Sequence, residues 1–291
     1  MPSGVQRTAT VRRVVERLTL VEGEVRRRRL RDALATEEPL EIRIAQEGSA
    51  CPISVTMRTP GSDVELAAGF LYGEAIVRGR ADVLRIETCA TDSGGQAATV
   101  FLAPAAVFDA ASLRRHFYTT SSCGVCGKAS IEAVLAAGVP SVDPGGVMDA
   151  RTMLELPHRL RSGQAVFERT GGLHAAARFD HDGIMIDIRE DVGRHNAMDK
   201  LVGAALLDGS LPLAGEVVMV SGRLSFELVQ KAARAGAGVL AGVSAPSSLA
   251  VELAERAGMT LIGFLREDHF NVYCGSVRGE ADERTSDGAI G

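Results

Sequence analysis

The hydrophobic and polar positions of residues 11–60 predict several strands, among them Leu40 to Ile44 and Cys51 to Met57. Pro60-Gly61 marks a turn, and Asp63 stands where it can cap a helix from Val64 to about Ala75 with Leu66, Phe70 and Leu71 on one face. Val83 to Cys89 and Ala98 to Leu102 read as strands joined through Ser93-Gly94-Gly95, with a helix around Ala110 to Phe117 after them. Tyr118 to Gly127 is a small, polar, Gly-rich connector before a helix from about Lys128 to Ala137, which Gly138 and Pro140 end. Ala150 to Ser162 is helical, interrupted or bounded by Pro157.

The second half alternates. Gln164 to Arg169 and Ala175 to Phe179 are strand-like around Thr170-Gly171-Gly172, Gly183 to Arg189 is a strand, and Asn196 to Leu207 a helix. Strands at Glu216 to Val220, Val239 to Val243 and Thr260 to Leu265 alternate with helices at Leu224 to Ala235 and Ser248 to Ala257, and Phe270 to Tyr273 closes the series. Such alternation predicts an α/β fold with a parallel-rich sheet covered by helices, which binds ligands at the carboxyl ends of its strands. We expect a smaller N-terminal α+β domain over 11–117, a loop and helix over 118–147, a larger domain over 148–276, and frayed ends at 1–10 and 277–291.

A chain of 291 residues, 46% apolar and 24% charged, can bury a core without disulfide or metal staples. Its formal charge of −5 argues against a general nucleic-acid binder. The basic run Arg26, Arg27, Arg28, Arg29 and Arg31 is either a solvated strand or turn face or a docking site for a phosphate-bearing ligand or an acidic partner. The N-terminus lacks the apolar stretch of a secretory signal, and no run of about 18 apolar residues predicts a membrane span. Five cysteines without a signal predict reduced thiols in the cytoplasm. Cys51, Cys89 and Cys274 sit alone in strand-like contexts and are expected to be small buried hydrophobes.

Cys123 and Cys126 form a C-x-x-C, which serves metal sites, dithiol redox switches and persulfide carriers. A structural zinc site needs four ligands, and no second C-x-x-C or H-x3-H is present. A zinc deaminase would show H-x-E before P-C-x-x-C, whereas Ser122 precedes Cys123 and His174 comes after it. A thioredoxin-like motif would follow an early strand of a βαβ unit. Here a Ser/Thr/Gly-rich loop leaves room for another protein's sulfur, and the helix start with Lys128 favours thiolate.

Six blocks resemble the formate dehydrogenase accessory sulfurtransferases, the FdhD family. They are Ser121 to Lys128, Thr170 to Ala176, Arg189 to Lys200, Val220 to Glu227, Ser244 to Ala250 and Leu261 to Arg266. The resemblance covers roughly residues 11–275. It implies that sulfur arrives from a cysteine desulfurase as a cysteine persulfide. The sulfur then passes to the molybdenum bis(molybdopterin guanine dinucleotide) cofactor before that cofactor enters formate dehydrogenase. It implies further that Cys123 bears the persulfide, that Cys126 assists or relays, and that Phe264, Leu265, Arg266, Glu267, Asp268 and His269 contact the cofactor, with GDP as a mimic. The implied fold joins the N-terminal α+β domain to a cytidine deaminase-like C-terminal domain, and the implied assembly is a homodimer with no permanent metal.

The residues themselves allow more than one reading. Ser221-Gly222-Arg223 and Ser244 to Ser248 are strand-to-helix turns that could cradle phosphate or simply cap helices. His195 is a proton carrier, a phosphate donor or a structural histidine, and His174 is a candidate to approach the sulfur or the ligand. The Thr170-Gly171-Gly172 turn is permissive backbone. His116, His158 and His181 read as surface residues. Rival functions are a cofactor-binding chaperone for formate dehydrogenase without sulfur transfer, and a thiol–disulfide oxidoreductase.

Overall fold

Alternation along Glu38–Gln46 sends Leu40, Ile42 and Ile44 into the interior, and this strand organises the N-terminal half. The computed structural model describes residues 8–46, 48–91, 95–106, 127–136, 138–139 and 148–279. The strands are β1 (Thr10–Val21), β2 (Glu24–Ala35), β3 (Glu38–Gln46), β4 (Ser49–Arg58), β5 (Val83–Ala90) and β6 (Gln96–Leu102). β1 and β2 form a separate antiparallel hairpin, and the others form a sheet of order β4-β3-β6-β5 in which β3 and β6 run parallel. Helix α1 (Asp63–Gly73) follows β4, and α2 (Gly127–Ala136) adds Ile131 and Val134 to the interior.

The C-terminal half contains α3 (Ala150–Gly163), α4 (Ala165–Thr170), β7 (His174–Phe179), β8 (Met185–Asp191), α5 (Arg194–Asp208), β9 (Val217–Val220), α6 (Phe226–Arg234), β10 (Val239–Gly242), α7 (Ser248–Arg256), β11 (Thr260–Gly263) and β12 (Asn271–Cys274). They build one six-stranded sheet of order β12-β11-β10-β9-β7-β8. Its inner strands β7, β9, β10 and β11 are buried on both faces. Val218, Val220, Leu240 and Leu261 join the core with α5, α6 and α7. Val217, Met219, Ala241 and Ile262 pack with Met153, Leu156 and Leu160 of α3. The result is a three-layer α/β arrangement.

Several expectations need correction. Parallel pairing is confined to β9, β10 and β11; β7 runs antiparallel between β8 and β9, and β12 runs antiparallel to β11, because the short 180–184 and 264–270 connections cannot carry a crossover. Gln164 to Arg169 is not a strand but the helical turn α4, whose free Val166 and Phe167 N–H groups donate to the Glu190 carboxylate at 2.9 and 2.7 Å. Asp63 does not cap α1. Its carboxylate grips the fully buried Arg58 guanidinium through two 2.8 Å hydrogen bonds, and Ser62 precedes the helix in the left-handed region. α3 runs through Pro157. Residues 277–279 are not frayed: the Arg278 carbonyl accepts from the Ala150 N–H at 2.7 Å. Cys51 and Cys89 are exposed, because they lie near the ends of the edge strands β4 and β5, where residues on both faces are exposed, and Cys274 is half-buried. The helix around Ala110 to Phe117 and the connector with Cys123 and Cys126 lie outside the described residues.

The two halves meet where α1 crosses α5 without intervening side chains. A Cβ at Gly69 would stand 1.8 Å from the Asp199 carbonyl oxygen, and one at Gly203 would stand 1.8 Å from that of Glu65. Backbone lies against backbone, so neither neighbour can step aside. Gly203→Ala and Gly69→Ala should each cost about 2 kcal/mol or more by forcing the helices apart, outweighing the roughly 1 kcal/mol that helix propensity alone would return. Denaturant melts of the two variants measure this, with the midpoint falling at unchanged slope.

Candidate functional site

The carboxyl ends of β9, β10 and β11 lie along one edge of the large sheet, and their following loops are bonded together. Leu224 N–H donates to the Ala245 carbonyl at 3.1 Å, Ser247 N–H donates back to Leu224 at 3.0 Å, and Phe264 N–H donates to Ser244 at 3.3 Å. Because β7 and β8 are antiparallel, the same edge receives His174 at the start of β7 and Asp191 at the end of β8. Gly193 then leads Arg194 and His195 into α5. The structure thus brings Ser221–Arg223, the Ser244–Ser248 turn, Phe264–His269, His174 and His195 to one sheet edge.

Their individual roles differ. Ser221 Oγ accepts the Ala175 N–H at 2.8 Å while the Ser221 N–H donates to the Ala175 carbonyl at 2.9 Å, so this serine extends the β7–β9 pairing. Ser247 is a true cap, accepting the Ala250 N–H at 3.2 Å. Gly222 is buried, and a Cβ there would stand 3.5 Å from both His174 Nδ1 and Arg194 Cδ. Arg223 is exposed and makes no hydrogen bond or ion pair among the described residues. Phe264 is half-exposed with a φ of 50°, a left-handed conformation that strains an aromatic residue. Leu265 is fully buried in the core beneath it, so its backbone alone faces the edge. The Arg266 N–H donates to the His269 carbonyl at 2.9 Å, its guanidinium donates to the carbonyls of Val243 and Leu265, and Glu267, Asp268 and His269 are exposed. His269 Nδ1 lies 2.7 Å from Asp268.

His195 Nε2 stands 2.8 Å from Glu227 Oε2 and 3.2 Å from Ser225 Oγ. Acid and hydroxyl address the same ring nitrogen, so this trio cannot act as a serine–histidine–acid relay, which needs one partner on each nitrogen. The hydrogen bond from His195 holds the Glu227 carboxyl below its ordinary value, against a weaker opposing effect of burial. Burial pushes the His174 imidazole down, and the charges of Arg194 and His195 push the same way against Asp191. His174 is therefore a neutral imidazole at physiological pH.

Beneath this edge lies a network that the sequence did not reveal. Asp191 is fully buried. It accepts from Gly193 N–H at 2.8 Å, Asn196 Nδ2 at 3.0 Å and Thr59 N–H at 3.1 Å, and pairs with the buried Lys200 ammonium at 2.7 Å. Lys200 also donates to the Thr59 carbonyl at 2.8 Å. The available signal was Asp191-Val192-Gly193, an acid at a strand end just before a helix whose first N–H groups need acceptors. Among the described residues no group of three or more His, Cys, Asp or Glu side chains is placed to hold a metal ion. No described helix is long and apolar enough to cross a membrane.

The profile of the FdhD/NarQ family matches residues 35–279. The sulfur carrier protein FdhD of Streptomyces avermitilis is 54% identical over 255 residues, covering 85% of this chain and 89% of its own length. That of Mycolicibacterium paratuberculosis is 55% identical over 249 residues, covering 83% and 90%. A crystal structure from Desulfotalea psychrophila, assigned as a formate dehydrogenase accessory protein, superposes with a TM-score of 0.69 at 22% identity, covering 91% of this chain and 97% of that one. This last likeness is one of fold.

The two depressed groups have a common sign. Each binds its proton less readily when folded, so its contribution to stability is complete above the ordinary value, 6.5 for His174 and 4.5 for Glu227. It is lost as pH falls from there through the lower folded value. NMR titration of Arg194→Ala should show the His174 midpoint rising toward 6.5 without reaching it, since burial remains. In His195→Ala the Glu227 carboxyl should titrate closer to 4.5. A His174 midpoint at or above 6.5 in the unmodified protein would contradict the arrangement.

Proposed function

The chain belongs to the FdhD/NarQ family, and from that premise we propose that it is a sulfurtransferase that carries sulfur as a persulfide on Cys123 to the molybdenum bis(molybdopterin guanine dinucleotide) cofactor of formate dehydrogenase. Its donor is a cysteine desulfurase, its client is formate dehydrogenase, and it works in the cytoplasm as a homodimer. The cofactor is its substrate. The observation that carries this reading is the juxtaposition at one sheet edge of Ser221–Arg223 with Phe264–His269, two blocks far apart in sequence. Arg223 is an exposed guanidinium at the start of a strand-to-helix turn, suited to a phosphate oxygen. The strained Phe264 backbone supports a binding role, since such conformations concentrate where a ligand is clamped. The three-layer half over 148–276 serves as the cytidine deaminase-like domain, and 11–117 as the smaller N-terminal domain, with 118–147 between them.

The chemistry balances with the two thiols. The Cys123 thiolate attacks the outer sulfur of the donor's persulfide, the donor S–S bond breaks, and the donor cysteine leaves as thiolate. Delivery as sulfide needs two electrons. The Cys126 thiolate supplies them by attacking Cys123 sulfur, expelling the outer sulfur as hydrosulfide and leaving a Cys123–Cys126 disulfide for a dithiol reductant to reopen. A chaperone that merely holds the cofactor would need neither step.

Incubation with a desulfurase and cysteine should add about 32 Da per sulfur atom to the protein, detected by mass spectrometry under non-reducing conditions. Cys123→Ala should abolish the gain and the maturation of formate dehydrogenase while leaving the melting temperature in place. A fully active Cys123→Ala protein would turn the choice to the chaperone. Calorimetry should show GDP preferred to ADP, and Arg223→Ala should weaken GDP by about 1.5–3 kcal/mol, the worth of a charged hydrogen bond. Equal affinity for the two nucleotides would remove the pocket.

A further inference from the structure

The β1–β2 hairpin stands apart from both larger sheets. Twelve residues per strand give an arm about 40 Å long at about 3.3 Å per residue. Its base meets the body where β2 packs on α4, and the Thr36 N–H to Ala9 carbonyl bond at 2.9 Å extends the hairpin's own ladder. Register fixes what each face carries. Val14 lies opposite Arg31, Glu16 opposite Arg29, Leu18 opposite Arg27 and Leu20 opposite Val25, so one face carries four aliphatic side chains and three guanidinium groups, with Glu16 shared between Arg27 at 3.3 Å and Arg29 at 3.5 Å and Arg31 beyond them. Leu20 and Val25 at its far end are 71% and 69% exposed. A two-stranded hairpin alone in water is marginally stable, and an uncovered aliphatic face makes it less so.

Charge identifies the cover. Eight arginines against four acids give Thr10–Ala35 a formal charge of +4, which leaves −9 on the rest of a chain whose total is −5. The body also has an uncovered surface of matching character. β8 is the terminal strand of the large sheet, with Ile186 exposed on it, Ile184 and Asp182 exposed just before it, and the carboxylates of Asp180, which accepts the Asp182 and Ile184 N–H groups, and Asp187, which pairs with Arg189, beside them. An exposed apolar edge strand is a surface that proteins ordinarily cover.

We propose that the β1–β2 arm of one copy lies along the β8 edge of a second copy, Val14, Leu18 and Leu20 against Ile184 and Ile186, and Arg27, Arg29 and Arg31 against the carboxylates. By two-fold symmetry each copy gives one arm and receives one. This rests on the homodimer of the preceding reading and assigns its contact surface. It requires no sulfur and no cofactor.

Sedimentation and light scattering of the full chain test it. Arg27→Glu with Arg29→Glu reverses the arm, and Asp182→Lys with Asp187→Lys reverses the edge. Each doubly substituted protein alone should dissociate at least about tenfold more readily, because like charges now face each other. An equimolar mixture should recover the dimer, since both crossed contacts then pair opposite charges. Recovery excludes misfolding, and melts of each variant check the same point. A full chain that is monomeric at working concentrations would overturn the dimer itself. A dimer undiminished in either variant, or a mixture that stays monomeric, would overturn the arm. So would an arm whose reversal leaves dimer mass intact but abolishes binding to an acidic protein such as the desulfurase.

Discussion

One buried carboxylate, that of Asp191, joins the two halves of this protein to the edge where the loops of the candidate site assemble. Its two oxygens take four partners: Thr59 from the turn after β4, Gly193 and Asn196 at the start of α5, and the Lys200 ammonium one turn further on. An ionised group without exposure is tolerable only when every lone pair is occupied, and here each oxygen has two donors. Taking away one partner of such a pair typically costs about 3–5 kcal/mol, because the other charge is left buried and unpaired. The network therefore holds Thr59 against α5 wherever the fold is intact. Asn196 extends the tie by donating to the Met57 carbonyl at 2.7 Å.

That tie determines where the candidate site can be. α5 begins at the carboxyl edge of the parallel strands, so anchoring its first turn also anchors Arg194 and His195. The same helix, eleven of whose residues are buried from Asn196 to Leu206, carries Gly203 into the contact with Gly69 of α1. Farther along the same face, Asp199 pairs with the buried Lys231 of α6 at 2.7 Å. α5 is thus fastened at three levels: to the N-terminal turn, to α1 and to α6. A helix buried on all sides usually reads as apolar throughout. This one instead buries Asn196, Asp199 and Lys200, each with a fixed partner, and gains a defined orientation in exchange for apolar area.

The alternating strands and helices after residue 170 were legible because each strand is a short apolar run between turn residues. The mixed direction of the sheet was not. Direction follows from which strands become neighbours, and a hairpin and a crossover both read as an apolar run, a gap and another apolar run. α4 was misread because Ala165-Val166-Phe167 has strand-like residues, while the Glu190 carboxylate that satisfies its N–H groups lies in a distant strand. Arg58 and Asp63 show the same limit. A capping position and an ion-pair position look alike when the arginine is five residues away and its burial is invisible. The site blocks were legible as motifs, but their convergence on one edge was a matter of topology. His195 and Glu227 are thirty-two positions apart, and no local pattern joins them.

The described thiols show how placement sets the reactivity of a cysteine. Cys274 is half-buried at the end of β12; its Sγ lies 3.4 Å from the Met259 carbonyl, and burial pushes the thiol up. Raising the pKa depletes the thiolate, the species that attacks sulfur, so a cysteine drawn into a core is suited to packing and unsuited to transfer. Cys51 and Cys89 escape burial, but they sit on regular strands with no helix N-terminus beside them in sequence. Cys123 and Cys126 stand in a Ser/Gly-rich stretch of the sequence immediately before α2, with Lys128 two positions after Cys126. Of the five cysteines, this pair alone stands in sequence immediately before a helix start and a lysine, two sources of positive potential that favour thiolate, and on the proposed reading a pair can both hold the outer sulfur and supply the electrons that release it.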